Sequence, residues 1–342
     1  MAPISNHRAI FNSIPKGLVE PGTTIIYDTS SVIDPDNVVL GGGFLLKTLV
    51  LAIEPYTRIR MRPEDPKSPV PLFKIGQPIK SYGVGVVIRS DFPDIKPGDH
   101  IYGDLPHEEY SLHLNLNGIE KITNTYNLPW SVFIGMGGMP GRTAFSGWRE
   151  HSHAKQGQIV FVSGGAGSVG SLVVQLAKLD GLKVIASAST DDKVQFLKEI
   201  GVDIAFNYKT TDMREVLKKE GPIDIYWDNV GGDTFDAAVE NAKPGARFIE
   251  CGMSSGYLTG FVPIKNLFQI IPKSITVTGF VWAVLSPKWE SEFQTSVIPR
   301  LGSGEFKYAE DITRGLDTVG DVFVAMQKGL NKGKPIVVVA DE

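Results

Sequence analysis

The stretch "VSGGAGSVGSLVVQLAK", residues 162–178, decides the fold of this chain. Its glycines have the spacing G-x-G-x-x-G, which is typical of a tight turn between a strand and a helix. The apolar run "IVFVSG" (159–164) precedes the turn as a buried strand, and apolar residues follow Val169 at i+3, i+4 and i+7. The pattern predicts a strand–loop–helix unit whose helix N-terminus can bind a pyrophosphate.

Each glycine of this loop has a separate physical role. Gly165 permits the tight turn, Gly167 lets the backbone approach a pyrophosphate, and Gly170 allows the helix to pack closely on the strand. Ser168 and Val169 begin the helix, where N–H groups have no partner within the helix. A chain with 37 glycines can produce this spacing without a ligand. The complete strand–helix–strand context favours dinucleotide binding.

Short apolar strands alternate with helical patterns through the second half of the chain, which predicts an α/β fold with a doubly wound parallel sheet. The further strands are "LKVIAS" (182–187), "IAFNY" (204–208), "IDIYW" (223–227) and "ARFIECG" (246–252), with helical patterns starting at Thr190 and spanning 212–219 and 233–241. Residues 1–130 contain short β-type runs between Pro and Gly turns, which indicates a mostly β domain. The strand "KPIVVVA" (334–340) can return to it. We predict domains at 1–130, completed by 312–342, and at 131–311.

Composition narrows the classes of function. With 342 residues, 42% of them hydrophobic and 21% charged, the chain is typical of a soluble two-domain protein. A net charge of -4 without any Lys/Arg block argues against a nucleic-acid partner. No membrane span and no secretory signal are expected, so the predicted compartment is the cytosol. The single cysteine, Cys251, excludes an intrachain disulfide and a zinc site built on several thiolates.

The end of the second strand favours NADP over NAD. An NAD site usually has a carboxylate there for the ribose hydroxyls, but "IASAS" (185–189) is uncharged. Lys193 follows, and its ammonium can bind a 2′-phosphate. Asp191 and Asp192 are the alternative ribose ligands, although they also suit the first turn of a helix capped by Thr190. In "YWDNVGG" (226–232), Asn229 can bind a ribose or an amide, or simply form a turn.

Several ordered motifs resemble the zinc-independent medium-chain dehydrogenases/reductases, in the prostaglandin reductase and alkenal double-bond reductase branch. They span nearly the whole chain: "EPYTRIRM" (54–61), "GQPIKSYGVGVV" (76–87), "GMPGRTAF" (138–145), "FNYK" (206–209), "DNVGG" (228–232), "ECGMSSGY" (250–257), "GFV" (279–281) and "GLNKGK" (329–334). The resemblance implies a GroES-like β domain plus a Rossmann domain, a homodimer, and reduction of the carbon–carbon double bond of an enal or enone with NADPH. An NADPH quinone oxidoreductase of the same fold is the alternative, and a non-enzymatic protein of this fold is another.

The resemblance also implies site residues. Its cofactor contacts map onto Gly167, Gly170, Lys193, Tyr208, Asn229, Cys251, Tyr257, Phe280, Val281, Trp282 and Asn331. The zinc-dependent relatives have a His-Glu pair where this chain has Ser81 and Tyr82. The two histidines of "HSH" (151–153) could be considered as metal ligands, but no carboxylate cluster lies beside them in the sequence. No metal is therefore expected.

Without a metal, reduction of an enone needs hydrogen-bond donors at the developing enolate oxygen. Three tyrosines of the family motifs are the catalytic candidates: Tyr257, Tyr56 and Tyr82. Tyr56 and Tyr82 are also expected to line the substrate pocket, together with Trp282, which stands where a smaller residue is common. Arg58 and Arg60 can steer a phosphate or a carboxylate, but they are interpreted as exposed strand residues.

Overall fold

The computed structural model describes residues 3–68 and 70–342. Met1, Ala2 and Pro69, which fall in the predicted first domain, lie outside the described residues. The chain divides into two compact units, one made of Met1–Gly135 with Glu310–Glu342 and the other of Met136–Ala309.

Strands dominate the first part of the chain, whereas strands and helices alternate in the second unit. The first part contains β1 (Ile4–Ser5), β2 (Arg8–Phe11), β3 (Ile25–Asp28), β4 (Val32–Ile33), β5 (Phe44–Ala52), α1 (Thr57–Arg60), β6 (Gln77–Pro78), β7 (Lys80–Ser90), β8 (His100–Pro106), β9 (Tyr110–His113) and β10 (Ile119–Ile122). The second unit contains α2 (Met139–His151), β11 (Ile159–Val162), α3 (Ser168–Leu179), β12 (Lys183–Ala188), α4 (Asp191–Glu199), β13 (Ile204–Asn207), α5 (Met213–Glu220), β14 (Ile223–Asp228), α6 (Asp233–Glu240), β15 (Ala242–Glu250), α7 (Gly256–Thr259), α8 (Ile270–Lys273), β16 (Thr276–Gly279) and α9 (Trp282–Gly302). The chain ends with β17 (Glu310–Arg314), α10 (Val319–Gln327) and β18 (Lys334–Val338).

The second unit is a doubly wound parallel sheet, as the strand–helix alternation predicts. Its strand order is β13-β12-β11-β14-β15-β16, and every pairing is parallel. This is the 3-2-1-4-5-6 order of a Rossmann fold, in which the order reverses between the first and fourth strands. Buried aromatic rings of Phe161, Tyr226 and Phe248 form part of its core. The reversal point therefore lies between the ends of β11 and β14.

The first unit is mostly antiparallel, in agreement with the expected β domain. Its largest sheet runs β10-β8-β7-β5-β18-β17, with β9 also paired to β5. The C-terminal strand β18 pairs antiparallel with β5, with Ile336 opposite Ala52. The core beneath the sheet contains Phe44, Leu51 and Phe323.

Candidate functional site

The glycine loop follows β11 and leads directly into α3. Gly167 precedes the helix with an extended backbone, and no side chain caps the helix there. A Cβ on Gly170 would lie 2.6 Å from the Gly164 carbonyl oxygen, and one on Gly165 would lie 2.9 Å from Ala186 Cβ. Only glycine fits these two positions, so the helix N-terminus packs tightly on the loop. The first-turn N–H groups, including those of Ser168 and Val169, have no partner within the helix and can receive an anion.

Polar side chains join the loop to the end of β14, across the reversal point. Asn229 donates from Nδ2 to the Ser163 carbonyl at 2.7 Å, while its Oδ1 accepts from Trp227 Nε1 at 3.1 Å. Ser163 Oγ in turn donates to Asp228 Oδ1 at 3.0 Å. Both ends of the Asn229 amide are thus engaged within the protein, and its contact with a cofactor stays a prediction. Ser163 is a residue that the sequence analysis did not single out.

Two predicted cofactor contacts, Lys193 and Tyr208, follow the ends of β12 and β13. Thr190 caps α4, which begins at Asp191, so the interpretation of the two aspartates as first-turn residues is confirmed. Asp191 Oδ1 accepts from Asn207 Nδ2 at 2.9 Å. Lys193 Nζ lies 3.2 Å from Ser189 Oγ. Tyr208 is 47% exposed at the end of the neighbouring strand.

The segment after β15 holds the loop that follows β14. Ser254 Oγ donates to the Asn229 carbonyl at 2.9 Å, and Ser255 Oγ donates to the Val230 carbonyl at 2.6 Å. These two serines of the "ECGMSSGY" motif therefore position the "DNVGG" loop, a role that local sequence patterns do not reveal.

Cys251 and Tyr257 lie in the same segment as neutral hydrogen-bonding groups. Burial, followed by the charges of Asp228 and Glu250, raises the pKa of the Cys251 thiol to about 12. Burial also raises the pKa of Tyr257. A Cβ on Gly252 would lie 3.2 Å from the Tyr257 hydroxyl, so that hydroxyl sits against the backbone at the end of β15.

In the stretch 280–282, the Phe280 ring packs against other side chains of the unit, whereas the Val281 side chain is exposed. Phe280 packs edge-on against Trp227, with ring centroids 5.7 Å apart, and its ring also occupies the space beside Gly147. Val281 is 62% exposed, and Trp282 is the first residue of α9. The Phe280 ring therefore belongs to the packing of this unit.

The first unit holds the remaining predicted site residues. Burial is the main cause that raises the pKa of Tyr56 well above its usual value, followed by the charges of Glu54 and Tyr82. Tyr82 stacks on Tyr102 with centroids 5.4 Å apart. Asn331 donates from Nδ2 to the Gly333 carbonyl at 2.6 Å. Tyr56 and Tyr82 thus share one environment in this unit.

A buried ion pair that the sequence analysis missed supports the Tyr56 segment. Lys334 Nζ lies 3.0 Å from Glu54 Oε1, and the two side chains are only 6% and 2% exposed. Glu54 stands two residues before Tyr56, and Lys334 begins β18. The pair joins two motifs separated by 280 residues, which no local pattern could indicate.

The interpretation of Arg58 and Arg60 as exposed strand residues is wrong. Both lie in α1 and are 7% exposed. Arg58 donates to the carbonyls of Pro15 and Gly17, while Arg60 donates to the Asp104 carboxylate at 3.2 Å. Buried guanidinium groups are tolerated because these acceptors satisfy their N–H groups.

The residues where zinc-dependent relatives have His and Glu do not fit a zinc ion. Ser81 Oγ lies 2.7 Å from His107 Nε2, and burial lowers the pKa of His107 to about 3. Tyr82, next to it, stacks on another ring. Within residues 3–68 and 70–342, no group of three or more His, Cys, Asp or Glu side chains could hold a metal. In the same part of the chain, no helix is both long and apolar enough to cross a membrane.

Comparison with known proteins identifies relatives over nearly the full length. Family models described as zinc-binding dehydrogenase and as N-terminal domain of oxidoreductase match residues 168–301 and 8–122. The NADP(+)-dependent 2-alkenal reductase of Nicotiana tabacum is 40% identical over 87% of this chain and 88% of its own length. The (+)-pulegone reductase of Mentha piperita is 36% identical over 99% of this chain and 100% of its own length. The structure of CurA from Vibrio vulnificus in complex with NADPH has a TM-score of 0.88 at 28% identity, covering 98% of this chain and 100% of that chain.

Proposed function

Because this chain belongs to the medium-chain dehydrogenase/reductase family, in the branch of the NADP-dependent alkenal reductases, we propose that it reduces the carbon–carbon double bond of α,β-unsaturated aldehydes and ketones with NADPH. The observation that carries the proposal is the 40% identity to a 2-alkenal reductase over 87% of the chain. The second relative, a pulegone reductase, is named for an α,β-unsaturated ketone, whereas the first is named for α,β-unsaturated aldehydes.

The second unit offers residues that fit the cofactor. The loop at Gly165 and Gly170 leaves no room for a Cβ and presents a helix N-terminus, which suits a pyrophosphate. Lys193, with Ser189 at its ammonium, suits a 2′-phosphate, and Tyr208 is placed at the neighbouring strand end. When bound, NADPH supplies the hydride. The remaining proposed contacts are those of Ser168, Val169, Asn229, Cys251, Tyr257, Phe280, Val281, Trp282 and Asn331.

The tyrosines supply the hydrogen bonds that the reaction needs. Addition of hydride to the β-carbon moves the π electrons toward the carbonyl oxygen and forms an enolate. A proton from a tyrosine hydroxyl or from water then adds at the α-carbon. A tyrosine hydroxyl has an ordinary pKa of 10.0, and burial raises the pKa values of Tyr56 and Tyr257 further, so each hydroxyl carries its proton at neutral pH and is available as a hydrogen-bond donor. We assign Tyr257, Tyr56 and Tyr82 to this role, and Tyr56, Tyr82 and Trp282 to the substrate pocket. No metal takes part in the proposed reaction.

The test is a product analysis with purified protein. NADPH, and separately NADH, would be supplied with a 2-alkenal, an aryl enone and a quinone, and the products identified by mass spectrometry. We expect the saturated aldehyde or ketone, with the carbonyl intact, and faster reaction with NADPH. An allylic alcohol or a hydroquinone as the main product would contradict the proposal and favour carbonyl or quinone reduction.

We further propose that two copies of the chain associate through the open edge of the six-stranded sheet. Strand β16 ends the sheet, and Val277 on it is 40% exposed. Exposed apolar residues occur in the segments before and after β16, and a strand with one unpaired edge favours pairing with another strand. A twofold axis would pair β16 with its own copy. The exposed residues of this edge surface are Phe261, Val262, Leu267, Phe268, Ile271, Val277, Val281 and Val284.

The proposed location is the cytosol. One cysteine in 342 residues leaves no possibility of an intrachain disulfide, in line with a protein that works where thiols stay reduced. Small-molecule enals or enones are the proposed substrates.

A further inference from the structure

Two carboxyl groups meet at the ends of β14 and β15. Asp228 and Glu250 are register partners on these adjacent parallel strands, so their side chains project to the same face of the sheet. Asp228 is fully buried. The oxygens of the Glu250 carboxyl are also buried, although the residue as a whole is partly exposed. Two acids are therefore held side by side, away from water.

In the described part of the chain, only one of the four carboxyl oxygens of the pair accepts hydrogen bonds. Asp228 Oδ1 accepts from Ser163 Oγ at 3.0 Å and from the backbone N–H groups of Val230 and Gly231, each at 2.8 Å. Asp228 Oδ2 and both oxygens of Glu250 are buried with no donor at hydrogen-bond distance in the described part of the chain. Buried acceptors without donors are unfavourable. A proton on one of the two carboxyl groups provides a donor at this place.

We propose that Glu250 is a neutral carboxylic acid in the working enzyme and that it donates its proton to Asp228 Oδ2, so that it acts as a positioning residue for the loop at 228–232. This inference rests on the proposed function, because that loop is part of the proposed cofactor site. Asp228 anchors the loop through Val230 and Gly231 and also holds the glycine loop through Ser163. The shared proton allows this anchor to remain charged beside a second carboxyl group.

The surroundings favour the neutral form of Glu250. Burial comes first, and the charge and hydrogen bonding of Asp228 add to it, so that the pKa of Glu250 is raised to about 9. The other titratable groups that interact with the pair are Tyr226, Cys251 and Tyr257, whose own pKa values are raised by burial. Among the described residues, no Lys, Arg or His contributes to the shift of Glu250.

The proton has a measurable effect on stability. The folded chain keeps a proton that the unfolded chain releases above pH about 4.5, the ordinary value for a glutamic acid. Raising the pH therefore favours unfolding. The contribution of Glu250 to stability is complete below pH 4.5, decreases as the pH rises, and is lost above about 9. Within this window the unfolding equilibrium constant is expected to change by about tenfold per pH unit for this one proton.

The test compares wild type with Glu250→Gln by denaturant unfolding from pH 5 to pH 10, without added cofactor. A glutamine cannot ionise, and its amide can still donate to Asp228. We expect the wild type to lose stability with rising pH relative to the variant. The dissociation constant for NADPH should also rise by about tenfold between pH 7 and pH 10 in the wild type but not in the variant. Tyr226→Phe is the matched control, because it removes the neighbouring buried hydroxyl and should leave the pH dependence in place.

Parallel pH profiles for wild type and Glu250→Gln would overturn the proposal, as would loss of the pH dependence in Tyr226→Phe. If Glu250→Gln does not fold, Asp228→Asn provides a second measurement. Without the charge of Asp228, the pKa of Glu250 in the folded chain falls, so the loss of stability should still begin near pH 4.5 but end at a lower pH than in the wild type. An unchanged profile would contradict the proposal. The unfolding measurement needs no substrate, so its outcome is independent of whether the protein reduces enones.

Discussion

Lys193 is the residue at which the choice of cofactor can be measured. Its ammonium lies beside Ser189 at the end of β12, in the position that suits a 2′-phosphate. A charge-assisted hydrogen bond contributes about 1.5–3 kcal/mol, which corresponds to roughly tenfold to hundredfold in affinity. We expect Lys193→Ala to raise the dissociation constant for NADPH by that factor and to leave that for NADH nearly unchanged, as measured by fluorescence titration.

Lys198→Ala is the control for this change, since Lys198 is an exposed lysine on the same helix. It should bind both cofactors as the wild type does. Equal losses of NADPH and NADH affinity in Lys193→Ala would contradict the assignment of this lysine.

Alanine substitutions at Gly170 and Gly167 distinguish a glycine needed for packing from one needed for cofactor binding. A Cβ on Gly170 would lie 2.6 Å from the Gly164 carbonyl oxygen, whereas one on Gly167 would lie at 3.5 Å from the same atom. Gly170→Ala should therefore lower the free energy of unfolding by about 1–3 kcal/mol. Gly167→Ala should leave it unchanged within about 0.5 kcal/mol yet weaken binding of NADPH and NADH alike. Thermal unfolding and titration of both variants would distinguish these effects, and full NADPH affinity in Gly167→Ala would exclude close approach of the cofactor there.

Between elements, the buried pair Glu54–Lys334 joins the end of β5 to the start of β18. Removing one member leaves a buried charge without its partner, which costs about 3–5 kcal/mol, whereas replacing both with apolar residues is often nearly neutral. We expect Glu54→Met and Lys334→Met each to lower the free energy of unfolding by that amount, and the double variant to recover most of it. Urea unfolding of the set measures the coupling.

The exposed pair Arg314–Asp341 is a suitable comparison, because its side chains are 67% and 80% exposed. Asp341→Asn should change the free energy of unfolding by less than about 1 kcal/mol. Additive losses in the Glu54/Lys334 double variant would show that the two side chains do not stabilise each other.

Local periodicity accounts for what the sequence predicts well at the level of elements. The strand at "LKVIAS" and the helix that begins at Asp191 are found as expected, because apolar spacing and capping residues act over a few positions. Arg58 and Arg60 were predicted wrongly since their acceptors, such as Pro15 and Asp104, come from distant parts of the chain. Burial of a charged side chain depends on such long-range partners, and a sequence pattern does not contain them.

The residues of the candidate site also fall into those that local sequence predicts and those that it does not. The glycine loop and Lys193 follow from motif and position, because each acts through its own local backbone or charge. Ser163 and Glu250 could not be identified in this way, since their roles come from the register between strands that are far apart in sequence. The side chains that support the loops of a site are therefore the part that needs a structure.

At the scale of the whole molecule, the open edge of the six-stranded sheet is the feature that remains to be explained. Phe268, Ile271 and Val284 are each more than 70% exposed, at 76%, 72% and 76%. Single exposed apolar residues are ordinary on protein surfaces, but several of them within one segment that contains an edge strand favour an interface. A second copy of the chain could cover this group and continue the sheet across a twofold axis.

A charge at this edge tests the dimer. We expect the wild type to show twice the monomer mass by size exclusion with light scattering. Ile271→Lys and Val277→Lys, combined in one variant, should shift it toward the monomer, because pairing would bury two unpaired charges per copy. Leu179→Lys is the control, since Leu179 is 53% exposed at the end of α3, outside the edge surface. A monomeric wild type, or a double variant that remains dimeric, would contradict association through β16, as would a control that dissociates like the double variant.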